Sequence, residues 1–551
     1  MSFPRPASPH ATPLSTLATL VGGTLVGADT PVTGVTLDSR DVCEGDLYAA
    51  LPGATAHGAS YAAGAAAQGA VAVLTDRAGG EVLDDTGVAL PRVVVEQPRS
   101  VVGAAASRVF GTTDLALRMY GITGTNGKTT TAYLLSSALH ALGRRTGLIG
   151  TVETRIGDER IRSVRTTPEA PVLHALLAVM AERELDDCVM EVSSHALVQH
   201  RVDGVVYDLA LFTNLSQDHL DFHPTMRDYF LAKASLFTPE RSRRGLVCVD
   251  DEWGRELAAT AGVPVTTLTS LPGVDADWRL TVQPGDAARF ELGDGSTTLR
   301  LRSALPGDFN RVNTAMAALA LVLGGTPGAQ VEAAMGQDPH VPGRMEPVRP
   351  TGAGATGSGA AGAGAPGAQP PGAQPPGAQP PGAQPPAAAT TGADLPLVVV
   401  DYAHTPDAVA AALSALRAST RGALVVVLGA GGDRDRGKRQ AMGRAAAEGA
   451  DIVLVTDDNP RSEDPAEIRR AVLEGARAAG TTAELHDVAG RAEAIRRAVR
   501  AGRDAGPGSV VAVVGKGHET GQEVAGTVHP FDDRDVARAA LDELAGAGGP
   551  A

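Results

Sequence analysis

The sequence is short of cysteine and of aromatic residues, and each shortage narrows what the protein can be. Its three cysteines, Cys43, Cys188 and Cys248, are an odd number without metal-ligand spacing, which indicates a reducing compartment. Aromatic residues are 3% of the chain, whereas apolar residues reach 43%. The hydrophobic cores must therefore be built from Ala, Val and Leu.

Basic residues and long apolar runs are also scarce. The net charge of -15 argues against non-specific binding to nucleic acid or to anionic membrane. No stretch is apolar for long enough to span a bilayer, and residues 1–23 lack the basic start and unbroken apolar core of a signal peptide. We therefore expect a cytoplasmic protein that meets any anionic substrate with a local group of basic residues.

The 551 residues are enough for roughly three domains at about 150 residues each. Short Val- and Leu-rich strands alternate with Ala-rich helices, which predicts an α/β fold with parallel sheets. We place the domains at residues 1–114, 115–345 and 395–551. Residues 346–394 are predicted to be a disordered insertion, because they are low in complexity and contain four tandem PGAQP repeats.

A glycine-rich stretch, GITGTNGKTT, opens the second domain at residues 121–130. It departs from the usual phosphate-loop spacing, which would place a glycine where Ile122 stands. It nevertheless follows an apolar strand and leads into a helix with leucines at 135, 139 and 142, and such a helix start binds anions. Lys128 can reach the outer phosphates of a nucleotide, and the Thr129 hydroxyl can ligate Mg²⁺.

Polar side chains follow two other strands of the same domain. Glu191 ends the first strand, and Asn214 and the pair Asp218-His219 follow the second. The carboxyl ends of parallel strands share one edge of the sheet, where ligands bind. Glu191 and His219 are therefore candidate ligands of a Mg²⁺ ion that bridges nucleotide and substrate.

The motif GTNGKTT resembles the variant phosphate loop of the Mur ligase family, ATP-dependent ligases that build the peptide stem of peptidoglycan. The resemblance covers nearly the whole chain outside the repeat. It implies an N-terminal nucleotide-sugar-binding α/β domain, a central P-loop ATPase domain with a parallel sheet, and a Rossmann-like C-terminal domain. The ATP-binding residues that it implies are Gly124, Thr125, Asn126, Gly127, Lys128, Thr129, Thr130, Asn310 and His404.

The same resemblance assigns the catalytic groups and the metal. It implies catalytic roles for Lys128, Glu191, His219 and Lys233. It also implies Mg²⁺ held by Thr129, Glu191, His219 and by Lys233 as N6-carboxylysine, a carbamate. Periodicity alone would make Lys233 an exposed helix residue, whereas carbamylation requires a lysine that is easily neutralised, as a buried one is.

Three further stretches resemble the nucleotide-sugar and peptide sites of the family: TLDSRDVCEGDLYAALPG (36–53), RTTPEA (165–170) and EVSSHALVQHRV (191–202). They imply a UDP-N-acetylmuramoyl dipeptide as substrate. The residues carried over are Leu37, Ser39, Thr166, Thr167, Ser193, Gln199 and Arg201. Arg201 suits an anionic diphosphate or carboxylate.

In the third domain, four apolar strands each end in a polar cluster, which predicts one site at that edge of the sheet. The glycines of GAGGD could pass for a dinucleotide loop, but no acidic residue follows a second strand at the right distance, so NAD is rejected. DNPR resembles the signature of family members that add meso-diaminopimelate. The residues implied for that amino acid are Arg434, Asp458, Asn459, Pro460, Arg461, Gly515 and Glu519.

Three alternatives are weighed against this interpretation. A family member that adds L-lysine would have no use for Arg461, because lysine lacks the far carboxylate. A folylpolyglutamate synthase would not need the nucleotide-sugar domain with Leu37 and Ser39. A P-loop switch protein would want the guanine-reading N-K-x-D motif, which we do not find. The expected partners are small-molecule substrates, with no nucleic acid and no membrane insertion, and we expect a monomer.

Overall fold

The computed structural model describes residues 3–337, 339–351 and 395–546. Three main sheets follow one another along the chain, with five, eleven and six strands. Helices pack on the sheets as the alternation of strand and helix predicts. Within the described ranges, no helix is both long and apolar enough to cross a bilayer.

The first sheet has the strand order β2-β7-β6-β5-β4. Its strands β4 to β7 are parallel, and β2 joins the edge antiparallel to β7. The elements of this part are β1 Thr12–Pro13, α1 Leu14–Leu20, β2 Thr24–Val26, β3 Pro31–Val32, β4 Gly34–Thr36, β5 Asp46–Ala49, α2 Ala62–Ala67, β6 Ala72–Thr75, α3 Arg77–Asp85, β7 Arg92–Val94 and α4 Pro98–Phe110.

The second sheet has the order β11-β10-β9-β12-β8-β13-β14-β15-β16-β17-β18. Its strands are β8 Arg118–Thr123, β9 Thr146–Ile149, β10 Glu153–Ile156, β11 Glu159–Arg162, β12 Asp187–Glu191, β13 Leu209–Phe212, β14 Gly245–Cys248, β15 Val265–Thr269, β16 Trp278–Val282, β17 Arg289–Gly293 and β18 Thr298–Arg302. Its helices are α5 Lys128–Ala141, α6 Ala170–Glu182, α7 Ser194–Val198, α8 Met226–Ala234, α9 Glu252–Thr260, α10 Asp308–Leu323 and α11 Gly328–Met335.

The expectation of a parallel central sheet is wrong at its two ends. The middle of the sheet is parallel, but β10 and β11 at one end and β17 and β18 at the other pair as antiparallel hairpins. Short turns at Gly157 and Gly295, both with positive φ, make these hairpins. The parallel middle still brings the ends of β8, β12 and β13 side by side.

The third sheet has the order β19-β20-β24-β21-β22-β23. Its elements are β19 Glu346–Val348, β20 Leu397–Asp401, α12 Pro406–Arg417, β21 Leu424–Leu428, α13 Lys438–Gly449, β22 Ile452–Val455, α14 Pro465–Ala478, β23 Glu484–Asp487, α15 Arg491–Asp504, β24 Val510–Val514 and α16 Asp533–Gly546, with a hairpin of β25 Gly521–Val524 and β26 Thr527–Pro530. The strands from β20 to β23 are parallel.

The predicted start of the insertion, at residue 346, is too early. Residues 346–348 form β19, which pairs antiparallel with β20 and faces Val398 from Val348. A three-residue strand with alternating burial is too short to stand out beside a low-complexity segment. The rest of that prediction, from residue 352 to residue 394, lies outside the described residues.

Candidate active site

The phosphate-loop motif lies where β8 passes into α5. Gly124 and Gly127 have φ angles of 145° and 88°, which L side chains rarely adopt. A Cβ at Gly124 would stand 1.9 Å from Thr213 Oγ1, and one at Gly127 would stand 2.4 Å from Asn313 Oδ1. Both glycines are therefore required by the backbone and by space, and this explains a glycine spacing that differs from the usual motif.

Lys128 lies over the loop rather than in solvent. Its Nζ donates to the carbonyl oxygens of Gly124 at 2.8 Å and Thr125 at 2.9 Å. Burial lowers the pKa of Lys128, while the nearby Glu191 opposes that shift. The ammonium is thus held at the mouth of an anion-binding loop.

Thr129 and Glu191 meet beside this loop. Thr129 Oγ1 donates to Glu191 Oε2 at 2.9 Å, and Glu191 also accepts bonds from the backbone N and the hydroxyl of Thr151 at 2.8 and 3.0 Å. In the described part of the chain, no three His, Cys, Asp or Glu side chains converge as a metal site. One carboxylate with one hydroxyl suits Mg²⁺, which takes its remaining ligands from water and substrate phosphates.

Lys233 is buried, contrary to the surface position that periodicity favoured. It is 1% exposed, its Nζ donates to the Gly124 carbonyl at 2.8 Å, and it lies 4.6 Å from the centroid of the Tyr229 ring. Burial lowers the pKa of Lys233 well below its ordinary value, and the nearby Lys128 lowers it further. A neutral amine at this position is the form that can react with carbon dioxide.

The Asp218-His219 pair lies at the boundary with the third sheet. His219 has a φ of 55°, and its ring meets His195 edge-on at 4.8 Å. Burial lowers the pKa of His219, so the imidazole is held neutral, the form that ligates metals. Asp218 Oδ2 lies 3.6 Å from His404 Nε2, and its Oδ1 lies 3.4 Å from Lys438 Nζ. The second and third units are therefore bridged next to the loop.

One cavity of about 580 Å³ joins these groups. It is lined from the central unit by the loop, Glu191, His219 and Asn310, and from the third unit by Tyr402 and His404. The ATP-binding and metal-binding residues that the sequence suggested therefore share one space, apart from two. Gly124, at the start of the loop, and Lys233, bound to the Gly124 carbonyl, do not line it. Thr166 and Ser193 of the sugar-peptide set line it as well.

The other sugar-peptide residues are bound to their neighbours around this cavity. Thr167 is fully buried, donates to the Glu191 carbonyl at 2.9 Å and accepts from the Ser193 backbone N at 3.1 Å. Arg201 pairs with Glu169 at 2.9 Å and donates to the Gln199 side chain. Thr167 thus holds the end of β12 in place, and the Arg201 guanidinium is held beside it.

Leu37 and Ser39 lie apart from this space, in the turn after β4 of the first sheet. Leu37 is half-buried against the core of the first unit. In that turn Asp38 accepts a hydrogen bond from the Arg40 backbone N at 2.9 Å and pairs with its side chain. Neither Leu37 nor Ser39 is among the described residues that line the large cavity.

The residues suggested for the amino acid gather at the strand ends of the third sheet. Asn459 Nδ2 donates to Glu519 Oε2 at 2.9 Å, and Arg461 donates to the Gly432 carbonyl at 2.7 Å and faces Glu523 at 3.3 Å. Gly515 has a φ of 114°, and a Cβ there would stand 2.7 Å from Asp458 Oδ2. Pro460 lies between Asn459 and Arg461, and Arg434 reaches towards Asp221 of the central unit at 3.9 Å.

The structure adds three basic residues to this inventory. Arg344 Nη2 donates to Thr129 Oγ1 at 3.1 Å, and its guanidinium lies 4.4 Å from the centroid of the Tyr402 ring. Lys438 reaches Asp218, and the fully buried Lys516 donates to Asn459 Oδ1 at 3.1 Å and to Glu519 Oε2 at 2.9 Å. Arg344 stands in PGRMEPV (342–348) and Lys516 in GKGHE (515–519). The contacts of Arg344 with Thr129 and of Lys516 with Asn459 join residues far apart in sequence, so no local pattern indicates them.

Comparisons with known proteins agree along the whole chain. Residues 31–109 match the Mur ligase family catalytic domain, residues 122–322 the Mur ligase middle domain, and residues 390–517 the Mur ligase glutamate ligase domain. A protein of Streptomyces avermitilis named UDP-N-acetylmuramoyl-L-alanyl-D-glutamate–2,6-diaminopimelate ligase is 47% identical, with 98% of this chain and 99% of that protein covered. A protein of Geobacillus thermodenitrificans with the same name is 36% identical, over 94% of this chain and 96% of its own length.

Solved structures give the same result. The structure of a UDP-N-acetylmuramoyl-L-alanyl-D-glutamate–2,6-diaminopimelate ligase matches with a TM-score of 0.61 and 28% identity, covering 97% of this chain and 100% of that chain. MurF from Acinetobacter baumannii shares the fold, with a TM-score of 0.62 at 17% identity, over 97% of this chain and 99% of that one. The three-domain α/β fold with mixed sheets is therefore shared, and the chain belongs to the Mur ligase family.

Proposed function

We propose that this chain is an ATP-dependent ligase that joins meso-2,6-diaminopimelate to UDP-N-acetylmuramoyl-L-alanyl-D-glutamate in the synthesis of a peptidoglycan precursor. The observation that carries the proposal is the large cavity, in which a phosphate loop and a buried carboxylate face the third unit across one space. The relatives that cover nearly the whole chain and bear the name of this ligase support it.

In the proposed reaction, the central unit binds ATP. The backbone N–H groups of residues 124–130 and the Lys128 ammonium would hold the ATP phosphates. Asn310 and His404 line the cavity on its other sides and would contact the rest of the nucleotide. Mg²⁺, held by Thr129, Glu191 and His219, would supply charge stabilisation at the phosphates when bound.

In the first step, an oxygen of the glutamyl γ-carboxylate attacks the γ-phosphorus of ATP, and the bond from that phosphorus to the bridging oxygen breaks. ADP leaves with the bridging oxygen, and an acyl phosphate is formed. Lys128 lies where negative charge develops on the transferring group, and it stabilises that charge without reorganisation. Thr166, Thr167, Ser193, Gln199 and Arg201 would hold the sugar-peptide, and Leu37 and Ser39 its uridine end.

In the second step, the diaminopimelate amine attacks the acyl carbon. The tetrahedral intermediate expels phosphate, and the departing phosphate takes up the proton that the nitrogen loses. Lys233, carrying carbon dioxide on its neutral Nζ, would present a carbamate beside the Gly124 carbonyl. This modification releases one proton and converts a buried neutral amine into an anion that can serve the metal. The chain's other contribution is positioning, since two reactants held in line react far faster than free ones.

The far end of the amino acid sets the choice of substrate. Arg461 would exchange its contact with Glu523 for a bidentate bond to the far carboxylate, and Glu519 with Asn459 would hold the far ammonium. Arg434, Asp458, Pro460 and Gly515 complete this wall. With lysine bound, the guanidinium would keep no partner from the substrate, so a preference of roughly a thousandfold for diaminopimelate is expected.

The test is a side-by-side assay of phosphate release with meso-diaminopimelate and with L-lysine. Wild type should prefer diaminopimelate, and Arg461→Ala and Arg461→Lys should both lose most of that preference, because lysine's point charge cannot form the fork. Arg436→Ala removes an exposed arginine that pairs with Glu463 nearby and should change little. A wild-type preference for lysine would leave the ligase chemistry standing and make the lysine-adding reaction, the alternative, the correct one.

The setting of the reaction is part of the proposal. We place it in the cytoplasm, where three free cysteines, of which Cys43 is exposed, stay reduced. We propose a monomer, because the phosphate loop, Glu191 and His404 enclose one cavity without a residue from a second copy. A size measurement by light scattering tests this, and a stable dimer would contradict it.

A further inference from the structure

A second cavity lies at the opposite edge of the central sheet from the phosphate loop. It has a volume of about 280 Å³ and is lined by the starts of β8 and β13 and by the end of α10. Both β8 and α10 run from this cavity to the large one, since β8 ends at Thr123 and α10 begins at Asp308, close to Asn310. None of the residues assigned to the ligase reaction lines it.

The walls of this cavity carry an excess of positive charge. Three arginines, Arg118, Arg243 and Arg244, line it together with a single carboxylate, Asp208. This is unusual in a chain with a net charge of -15. Asp208 is engaged by the Met119 backbone N at 2.8 Å and by Arg243 at 3.2 Å. Among the residues that line the cavity, the guanidinium groups of Arg118 and Arg244 are therefore left without a carboxylate partner.

The guanidinium groups of Arg118 and Arg244 each have N–H donors beyond those that bind the protein. Arg118 Nη1 donates to the Gly324 carbonyl at 3.0 Å, and Arg244 Nη2 donates to the Leu323 carbonyl at 2.8 Å, so both cap the end of α10. A guanidinium has five N–H donors, and these bonds use one from each. Arg118 also contacts the Tyr120 hydroxyl, and the further donors of both guanidinium groups can serve a ligand.

The Tyr120 hydroxyl points to the same space. Tyr120 is 1% exposed and lines the cavity. Its Oη lies within reach of the Arg118 guanidinium but makes no hydrogen bond of good geometry to it or to another described residue. A buried hydroxyl without a partner is costly, and a ligand oxygen would satisfy it.

A glycine keeps this space open. Gly324 has a φ of -74° and a ψ of -2°, a conformation that any residue adopts, so the backbone does not require glycine there. A Cβ at this position would stand 3.0 Å from Tyr120 Oη and 3.1 Å from Arg118 Nη1. The missing side chain leaves both donors accessible.

We propose that Arg118, Arg244 and the Tyr120 hydroxyl form a binding site for a small oxyanion, a metabolite that bears a phosphate or carboxylate group. Arginine forks and a hydroxyl match the oxygens of both groups. The site is separate from the substrate sites of the proposed ligase and does not depend on that function.

The test is calorimetric titration of the full-length Lys128→Ala variant, in which the phosphate loop is weakened, with inorganic pyrophosphate and, separately, with malonate. One anion per chain should bind saturably. Arg244→Gln and Gly324→Ala, each added to that background, should weaken binding about tenfold or more, because each removes or blocks a charged donor. Tighter binding of pyrophosphate identifies a phosphate site, and tighter binding of malonate a carboxylate site.

Two matched controls keep folding defects apart from the loss of the site. Gly336→Ala changes a glycine of similar backbone conformation at the end of α11, and Arg300→Gln removes an exposed arginine of β18. Both should bind as the parent does, and thermal melting should show all variants folded. Saturable binding that Arg244→Gln and Gly324→Ala leave within twofold, or no saturable binding at all, would overturn the proposal.

Discussion

At the scale of single residues, Lys233 of α8 is buried under the phosphate loop and is 1% exposed. The pattern of DYFLAKASLF gives no sign of it, because α8 buries Tyr229, Phe230 and Lys233 together against different neighbours. Where a lysine points is decided by the loop that packs over it, here the Gly124 carbonyl. The sequence therefore indicated this residue through resemblance and not through periodicity.

We expect Lys233→Ala to lose ligase activity by about a hundredfold or more and to regain part of it in millimolar acetate or formate. These acids would fill the space with the oxygens that the carbamate supplies. The measurement is phosphate release with and without the acids. Lys128→Ala should be equally inactive but should gain nothing from them, and full activity of Lys233→Ala would show that no carbamate is needed.

His174 gives a second prediction, which concerns stability. It is fully buried, Thr112 Oγ1 lies 2.6 Å from its Nδ1 and the Asp203 carbonyl 3.0 Å from its Nε2. Burial lowers the pKa of His174 to about 4. Because the folded pKa is below the unfolded one, the unfolded chain takes up the proton first, and stability present above about pH 6.5 is lost as the pH falls towards 4.

On going from pH 7 to pH 5, protonation of His174 in the unfolded chain should therefore lower the free energy of unfolding by about 2 kcal/mol. His174→Gln should be less stable at pH 7 but should lose correspondingly less on going to pH 5, as measured by urea unfolding. His10→Gln, which changes an exposed histidine, should keep the wild-type dependence. If the free energy of unfolding of His174→Gln depended on pH as that of the wild type does, His174 would not be the group responsible.

At the scale of elements, the sequence predicted the strand ends that build the site but not the edges of the sheets. The ends of β8, β12 and β13 meet because parallel strands with apolar runs leave their polar residues at one edge. The antiparallel hairpins and β19 were missed because short edge strands carry little periodicity. The role of Arg344 was missed for a different reason: its partner Thr129 is 215 positions away, and no local pattern reports such a contact.

The pairing of β19 with β20 leads to a prediction about residues 352–394. Neighbouring antiparallel strands can be joined by a short loop, and Thr351 is tied to Asp542 by bonds of 2.7 Å just before the segment begins. Deleting 352–394, so that residue 351 is joined to 395, should leave turnover within a fewfold. Shortening the connection changes its closure free energy by at most about 2 kcal/mol, in the stabilising direction.

Steady-state kinetics and thermal melting of the deleted protein measure this. A version in which a Gly-Ser stretch of equal length replaces the segment separates the effect of length from that of composition. Loss of activity in both versions, with melting unchanged, would mean that the segment itself takes part in the reaction.

At the scale of the whole molecule, composition and motifs predicted three units but could not predict how these units contact one another. Two of the contacts that join the second and third units, those with His404 and Lys438, are made by Asp218, whose side chain is 7% exposed. Burial would raise the pKa of Asp218, but His404 and then His219 and Lys438 hold it below its usual range. Such contacts couple residues from separate units, so no local pattern announces them.

We expect Lys438→Gln to lower kcat/KM about tenfold or more, because it leaves a buried carboxylate with one cation fewer at the boundary of the two units. The melting temperature of the Lys438→Gln protein should change little, while its activity falls. Arg417→Gln breaks the more exposed pair with Asp451 inside the third unit and is the matched control. Equal kinetics in Lys438→Gln and wild type would show that the contact does not help the two units to close.

The order of strands in the third sheet also decides where this chain can be cut. Its edge strand β19 precedes residues 352–394, while the other five strands follow them. A break in that segment would give one fragment that ends in an unpaired strand and another whose sheet offers the free edge of β20. The two fragments should reassemble when co-expressed, the first donating β19 to the second, which makes this position a natural one for a two-piece enzyme.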